Sequence, residues 1–183
     1  MSLWWTSGVG HPPSGDGWDR DEAFAVNADG PRYPALACAK NHIPLIHVST
    51  DYVFDGTKKT PSVESDPICP IGVYGESKAA GEKAVREALD THLILRTSWV
   101  YRSHGDNFVK TIPRLTGERE ELGLVADQYG FPTYAADLAG AILHIAEQIR
   151  NGRAITWGTY HYCGKGVTTW HGFAEKICEL ARK

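Results

Sequence analysis

The sequence predicts an α/β protein, a parallel sheet with helices on its faces. Three observations predict it. The segments Ile43-Pro-Leu-Ile-His-Val48 and His92-Leu-Ile-Leu-Arg-Thr-Ser-Trp-Val-Tyr101 are apolar at their centres without alternation, as strands of parallel sheets are when both faces are covered. Residues 74–89 and 135–149 between and after them space their apolar side chains three or four apart, the pattern of amphipathic helices. The order strand, helix, strand, helix, strand belongs to a doubly wound fold.

The chain begins unlike the rest. Residues 1–20 contain Ser7-Gly-Val-Gly-His-Pro-Pro-Ser-Gly-Asp-Gly17, which is turn-forming and lacks an apolar period. Gly8 and Gly10 invite a dinucleotide-loop reading, which fails on two counts: no strand is read before them, and Pro12-Pro13 stands where a helix should begin. An irregular N-terminal segment is expected. Residues 21–40 read as helix, interrupted at Asp29-Gly30-Pro31 and strained by Pro34, since an interior proline costs about 3 kcal/mol.

The strand at 43–48 comes next, then the polar cluster Ser49-Thr50-Asp51-Tyr52 and a long loop rich in Pro, Asp, Ser and Thr. The helix from Tyr74 to Leu89 takes Ala80, Ala84, Val85, Ala88 and Leu89 as its inner face, with charges opposite. A short helix is expected at 107–115, weakened by Pro113, and a third strand at Leu122-Gly-Leu-Val-Ala126. A further strand is read at 155–162, and Thr168 or Thr169 caps a last helix running to Ala181.

Bulk properties bound the function. The 183 residues are 42% hydrophobic and 22% charged, ordinary values for a globular chain long enough to form a core. A net charge of −3 with no basic stripe gives no footprint for nucleic acid. No apolar run reaches the roughly 18 residues of a membrane span, and the first residues do not read as a signal peptide. Cys38, Cys69, Cys163 and Cys178 are scattered, as reduced thiols of a cytoplasmic protein are. His161 with Cys163, and His42 with His47, supply no ligand set with zinc spacing, so no metal site is expected.

Chemistry concentrates between 43 and 78. Tyr74 and Lys78 lie four apart on a helix and share a face. Thr50 stands at the carboxyl end of a strand, the edge where ligands of open α/β sheets bind. Together they suit acid/base work on a carbonyl. Reduction of a ketone puts negative charge on its oxygen, so a positioned proton donor lowers the barrier. Free tyrosine titrates near pH 10, and a lysine ammonium one turn on is expected to lower that value. Turn chemistry at Thr50 and Asp51, and a helix start with a packed tyrosine at Tyr74, are the structural alternatives.

Four ordered motifs carry a resemblance: Ser49-Thr-Asp-Tyr-Val-Phe-Asp-Gly56, Tyr74-Gly-Glu-Ser-Lys78, Arg96-Thr-Ser-Trp99 and Asp127-Gln-Tyr-Gly-Phe-Pro-Thr133. With Ala23-Phe-Ala-Val-Asn-Ala-Asp-Gly-Pro-Arg32 they resemble the dTDP-4-dehydrorhamnose reductases, of the extended short-chain dehydrogenase/reductase superfamily, from about Asp21 to Lys183. The resemblance implies a partial doubly wound, Rossmann-like parallel sheet with its first strands missing. It implies reduction of dTDP-4-dehydro-L-rhamnose to dTDP-L-rhamnose with NADPH or NADH, so the partner is a dTDP-sugar. Thr50, Tyr74 and Lys78 would be catalytic. Asp51, Tyr52, Trp99, Asn107, Gln128 and Thr133 would contact substrate, with core packing the alternative for Trp99. Asn27, Ser49, Thr97, Tyr74 and Lys78 would lie at the cofactor.

The resemblance also sets expectations for the whole chain. Residues 21–183 would be a truncated reductase domain with part of the substrate region, because no strand, glycine-rich turn and helix unit for a pyrophosphate is read in it. Poor binding of NADP(H) follows. The strand at 43–49 would be left as an edge, either paired in a homodimer or covered by residues 1–20. A nucleotide-sugar epimerase or dehydratase, and a non-enzymatic regulatory relative, are the competing functions.

Overall fold

A computed structural model of the chain describes Trp4–Ser7 and residues 19–181. Its contacts divide it into two compact units, Met1–Thr97 with His144–Tyr162 and Ser98–Leu143 with Cys163–Lys183.

The first unit is built on a four-stranded parallel sheet. Strand β1 is Trp4–Ser7, β2 Leu45–Thr50, β3 His92–Thr97 and β7 Gly158–His161, in the order β1-β2-β3-β7. The register sets Thr50 beside Thr97 and Ser49 beside Arg96. Strand β1 pairs with β2 from Trp4 beside Leu45 to Ser7 beside Val48. The N-terminal residues therefore are not irregular at 4–7, and a strand does precede Gly8. The rest of the expected irregular segment, including Gly8, Gly10 and Pro12-Pro13, lies outside the described residues.

Helix α1, Arg20–Phe24, is capped by Asp19, whose carboxylate accepts from the Glu22 N–H at 3.0 Å. The chain continues without a break through a π-helical turn, Ala25–Asp29, into α2, Gly30–Asn41. The expected interruption at 29–31 is this change of helix type. Pro31 and Pro34 each remove an N–H from the ladder, and the wider π turn sits directly before them. His42, left-handed at φ 54°, closes α2, and the Ile43 N–H donates to Cys38 O at 2.9 Å.

Helix α3, Val73–Ala88, packs with α2 over one face of the sheet. Ala35, Cys38, Leu45, Val85, Leu89 and Ile94 form the apolar core there. The buried face of α3 is Gly75, Ser77, Lys78, Ala79, Gly81, Glu82 and Val85, not the alanine stripe expected from the sequence. Two charged residues sit on that face because each finds a partner inside, whereas Ala80, Ala84 and Ala88 are only partly covered. Between β2 and α3 the loop is fastened to β7, the Glu64 carboxylate accepting from the His161 N–H at 2.9 Å.

The second unit holds short strands β4 (Val100–Tyr101) and β6 (Thr133–Tyr134), paired in parallel, and β5 (Tyr129–Gly130) and β8 (Thr168–Thr169), antiparallel. Helices α4 (Phe108–Glu118) and α6 (Trp170–Ala181) pack through Ile112, Ala174 and Ile177. Leu122 and Leu124 pack on the same cluster and the His171 N–H donates to Val125 O at 3.0 Å, so the segment expected as a strand at 122–126 is held in place without being one. The Thr169 hydroxyl accepts from the Gly172 N–H at 3.0 Å, capping α6. Helix α5, Ala135–Arg150, runs from the second unit into the first. Among the described residues no helix is long and apolar enough to cross a membrane.

Candidate active site

In the first unit, Thr50 ends β2 and Asp51–Val53 turns as a short 3-10 helix. The Thr50 side chain caps that turn, accepting from the Tyr52 N–H at 3.2 Å and donating to the Asp51 carboxylate at 3.2 Å. A hydrogen bond joins the hydroxyls of Thr50 and Tyr74. The rings of Tyr52 and Tyr74 meet edge to face, centroids 5.6 Å apart. This closeness depends on Gly75: a Cβ there would lie 2.3 Å from Tyr52 O. Thr50, Asp51, Tyr52 and Tyr74 are thus gathered at one strand end.

Lys78 is 3% exposed and its ammonium donates to Val48 O at 2.8 Å. Burial pulls its pKa down to about 8, against the opposing charge of Glu82. The expected lowering of the Tyr74 pKa by Lys78 is not what the geometry produces. Burial pushes the phenol up to about 12, the Thr50 hydrogen bond opposing and the Asp51 charge adding. Lys78 is directed at a strand carbonyl instead. Tyr74 therefore keeps its proton at neutral pH, as a proton donor should. Asp51 is pushed up to about 6 by burial, with Thr50 and backbone hydrogen bonds working against it.

Of the residues expected at a cofactor, Asn27, Ser49, Lys78 and Thr97 are buried and Tyr74 is half-buried. Asn27 sits on the π turn and donates to Ser77 Oγ at 3.1 Å, and Ser77 donates to Tyr74 O at 2.9 Å. Asn27 Oδ1 and Thr97 Oγ1 have no hydrogen-bond partner among the described residues. Ser49 Oγ likewise has none among the described residues. Gly81 lets α3 close on the π turn, since a Cβ would stand 2.1 Å from Asn27 O.

The other four expected residues belong to the second unit. Trp99 has φ 47°, a left-handed conformation costing a bulky residue about 1–3 kcal/mol. Its indole stacks on Trp170 at 3.7 Å and also covers Gly130, where a Cβ would lie 2.3 Å from the ring. The indole is thus packed within the unit, as the core-packing alternative for Trp99 expects. Thr133 is fully buried and its hydroxyl is committed, donating to Phe131 O and accepting from the Gly164 N–H. Asn107 donates to Arg102 O at 2.8 Å, with its Oδ1 unsatisfied among the described residues. Gln128 is exposed.

Sequence reasoning missed three contributors: Glu82, Gly75 and Gly81. Glu82 had a signal, standing four residues after Lys78 as Lys78 stands four after Tyr74. The glycines had none, because their role depends on which distant backbone passes them. Among the described residues no group of three or more metal-ligating side chains is found.

A parallel α/β sheet with a threonine at a strand end, hydrogen-bonded to the tyrosine of a Tyr-x-x-x-Lys helix, defines the class of extended short-chain dehydrogenases/reductases. Within that class, this chain belongs to the family described as RmlD substrate binding domain, whose model matches residues 18–183. It is 45% identical over 159 residues to the dTDP-4-dehydrorhamnose reductase of Aggregatibacter actinomycetemcomitans, covering 87% of this chain and 54% of that protein. It is 44% identical over 167 residues to the same-named enzyme of Escherichia coli (strain K12), covering 90% and 56%. A crystal structure of dTDP-4-dehydrorhamnose reductase from Bacillus anthracis in complex with NADP superposes with a TM-score of 0.82 at 43% identity, covering 90% and 56%. The chain spans about half the length of the curated relatives it matches.

Proposed function

We propose that these residues form the acid/base and substrate part of an NAD(P)H-dependent reductase converting dTDP-4-dehydro-L-rhamnose to dTDP-L-rhamnose. The observation that carries the reading is the Thr50–Tyr74 hydroxyl pair at the end of β2, with Lys78 one turn further on. Relatives bearing that enzyme name, and the NADP complex of one of them, support the substrate and cofactor. The free thiols of Cys38, Cys69 and Cys178 support a reducing, cytoplasmic setting.

The residues fit the nicotinamide ribose end of such a cofactor. Lys78 makes one hydrogen bond with an ammonium that has three donors, and the buried Asn27 Oδ1 and Thr97 Oγ1 await partners. When bound, the reduced nicotinamide supplies a hydride to the carbonyl carbon. Tyr74 donates its phenolic proton to the carbonyl oxygen, and Thr50 orients that oxygen by hydrogen bonding. Asp51 and Tyr52 flank the sugar. Trp99, Asn107, Gln128 and Thr133 are proposed as its further contacts.

The test is turnover of the chain with dTDP-4-dehydro-L-rhamnose at millimolar NADPH, beside Tyr74→Phe. Loss of the proton donor should slow turnover by about 100-fold or more, while binding of dTDP-L-rhamnose stays within about twofold. A phenylalanine variant as fast as the parent chain would remove Tyr74 from the chemistry. Turnover of a UDP-hexose in place of the keto sugar would move the chain to the epimerases.

A further inference from the structure

Three functional side chains stand at intervals of one turn along α3: the half-buried Tyr74 and the buried Lys78 and Glu82. The first two enter the proposed chemistry. Glu82 does not, yet it is fully buried and the most heavily bonded carboxylate among the described residues of the first unit. Arg96 of β3 grips it with two bonds, Nε to Oε1 at 2.9 Å and Nη2 to Oε2 at 2.7 Å. Arg86 adds a third at 3.1 Å. Arg96 is itself 5% exposed and lies 5.1 Å over the Phe54 ring.

The partners come from a meaningful place. Arg86 stands one turn on along α3, and Arg96 of β3 immediately precedes the strand-end Thr97. Glu82 therefore ties α3 to the end of β3, as Lys78 ties it to β2 through Val48 O. A buried ion pair gives no special stability, since well-packed apolar residues commonly serve as well or better. What it does give is a fixed geometry and a negative charge inside the fold. Burial alone would raise the Glu82 carboxyl, but the bonds and charge of Arg96, the nearby Ser49 hydroxyl and the Arg86 bond hold it below the usual range.

We propose that Glu82, held by Arg96, is a positioning residue for Lys78, seating α3 against the end of β3 and keeping the ammonium charged beside Val48 O. The purpose this gives Lys78 rests on the acid/base reading above. The other charged or titratable groups gathered around the pair are His47 of β2, Arg86 of α3, and His92 and Arg96 of β3. His47 is neutral, burial first and Lys78 second pulling it down to about 3. Both arginines spend hydrogen bonds on Glu82. Glu82 is thus the anion that offsets the burial of Lys78.

The experiment is an NMR titration of the chain carrying carbon-13 lysine, with Lys78 assigned from the signal lost in Lys78→Arg. In E82Q the Lys78 midpoint should fall by about one pH unit, and in E82D, which keeps the charge, it should stay close to the parent value. A folded E82Q with an unmoved midpoint overturns the proposal. If E82Q does not fold, the double variant E82M/R96M is read the same way, because apolar side chains there can replace the pair without unfolding the chain. Failure of both to fold also overturns it, making the pair a pillar of the fold. No substrate or cofactor enters this titration, so it fails separately from the turnover assay of Tyr74→Phe.

Discussion

Asp51 shows how the strand end is tuned one residue at a time. Its carboxyl is raised from 3.8 to about 6, burial outweighing the bonds from Thr50 and the backbone. The folded chain thus binds a proton more tightly than the unfolded one. This contribution to stability is present below about pH 4 and is lost as pH rises to about 6. Asp51→Asn mimics the protonated form and removes the loss. Urea melts at pH 7 should show the variant more stable by on the order of 1–3 kcal/mol, with the difference gone at pH 4. A variant less stable than the parent at pH 7 would show that the carboxylate is better satisfied than its burial implies. Residue identities at this site were legible, because Tyr-x-x-x-Lys spacing fixes a shared helix face. The destination of the Lys78 amine was not. A long side chain goes where a buried acceptor stands, and no spacing rule names Val48 O.

At the scale of elements, strong periodicity located α3, α5 and α6 to within a residue or two, while the buried face of α3 was legible only at Val85 and Leu89. Apolar spacing favoured Ala80, Ala84 and Ala88, but the side of α3 that closes on other backbone is set by Gly75 and Gly81. Two mutations separate this from ordinary helix propensity. Gly81→Ala should gain about 1 kcal/mol of propensity yet lose more, since its Cβ would stand 2.1 Å from the carbonyl oxygen of Asn27. Overpacking of this kind costs about 1–3 kcal/mol, so its thermal midpoint should fall. Gly140→Ala, on α5 with nothing within 4 Å of the new Cβ, should instead raise the midpoint, by about 0.4–1 kcal/mol of stability. Equal shifts for both would mean that α3 does not approach the π turn closely. Trp99 makes the same point for strands. The run 92–101 reads as one strand, but the left-handed Trp99 splits it into β3 and β4. The cause is the seat of the indole between Trp170 and Gly130, residues far along the chain.

For the molecule as a whole, the parallel sheet was legible and its N-terminal border was not. A four-residue strand rich in tryptophan gives too short a pattern to read, and the glycines and prolines after it mask it further. Trp4–Ser7 pairs with β2, so N-terminal residues cover that strand, one of the two expected arrangements. The consequence is testable through association. β2 is buried over most of its length, with Leu45, Ile46 and His47 all enclosed. Stripped of β1, it would offer a row of free N–H and C=O groups on an apolar strand, which templates pairing with other chains. Removal of residues 1–7 should therefore convert the chain to species whose size rises with concentration in gel filtration and light scattering. Replacing both Trp5 and Thr6 with proline tests the ladder more gently, because one of two successive residues in a paired strand directs its N–H to the neighbouring strand and proline removes it. Its effect should be partial and in the same direction. A truncated chain with the size and concentration dependence of the parent would show that β2 needs no cover on that side, and that the sheet is closed by something other than β1.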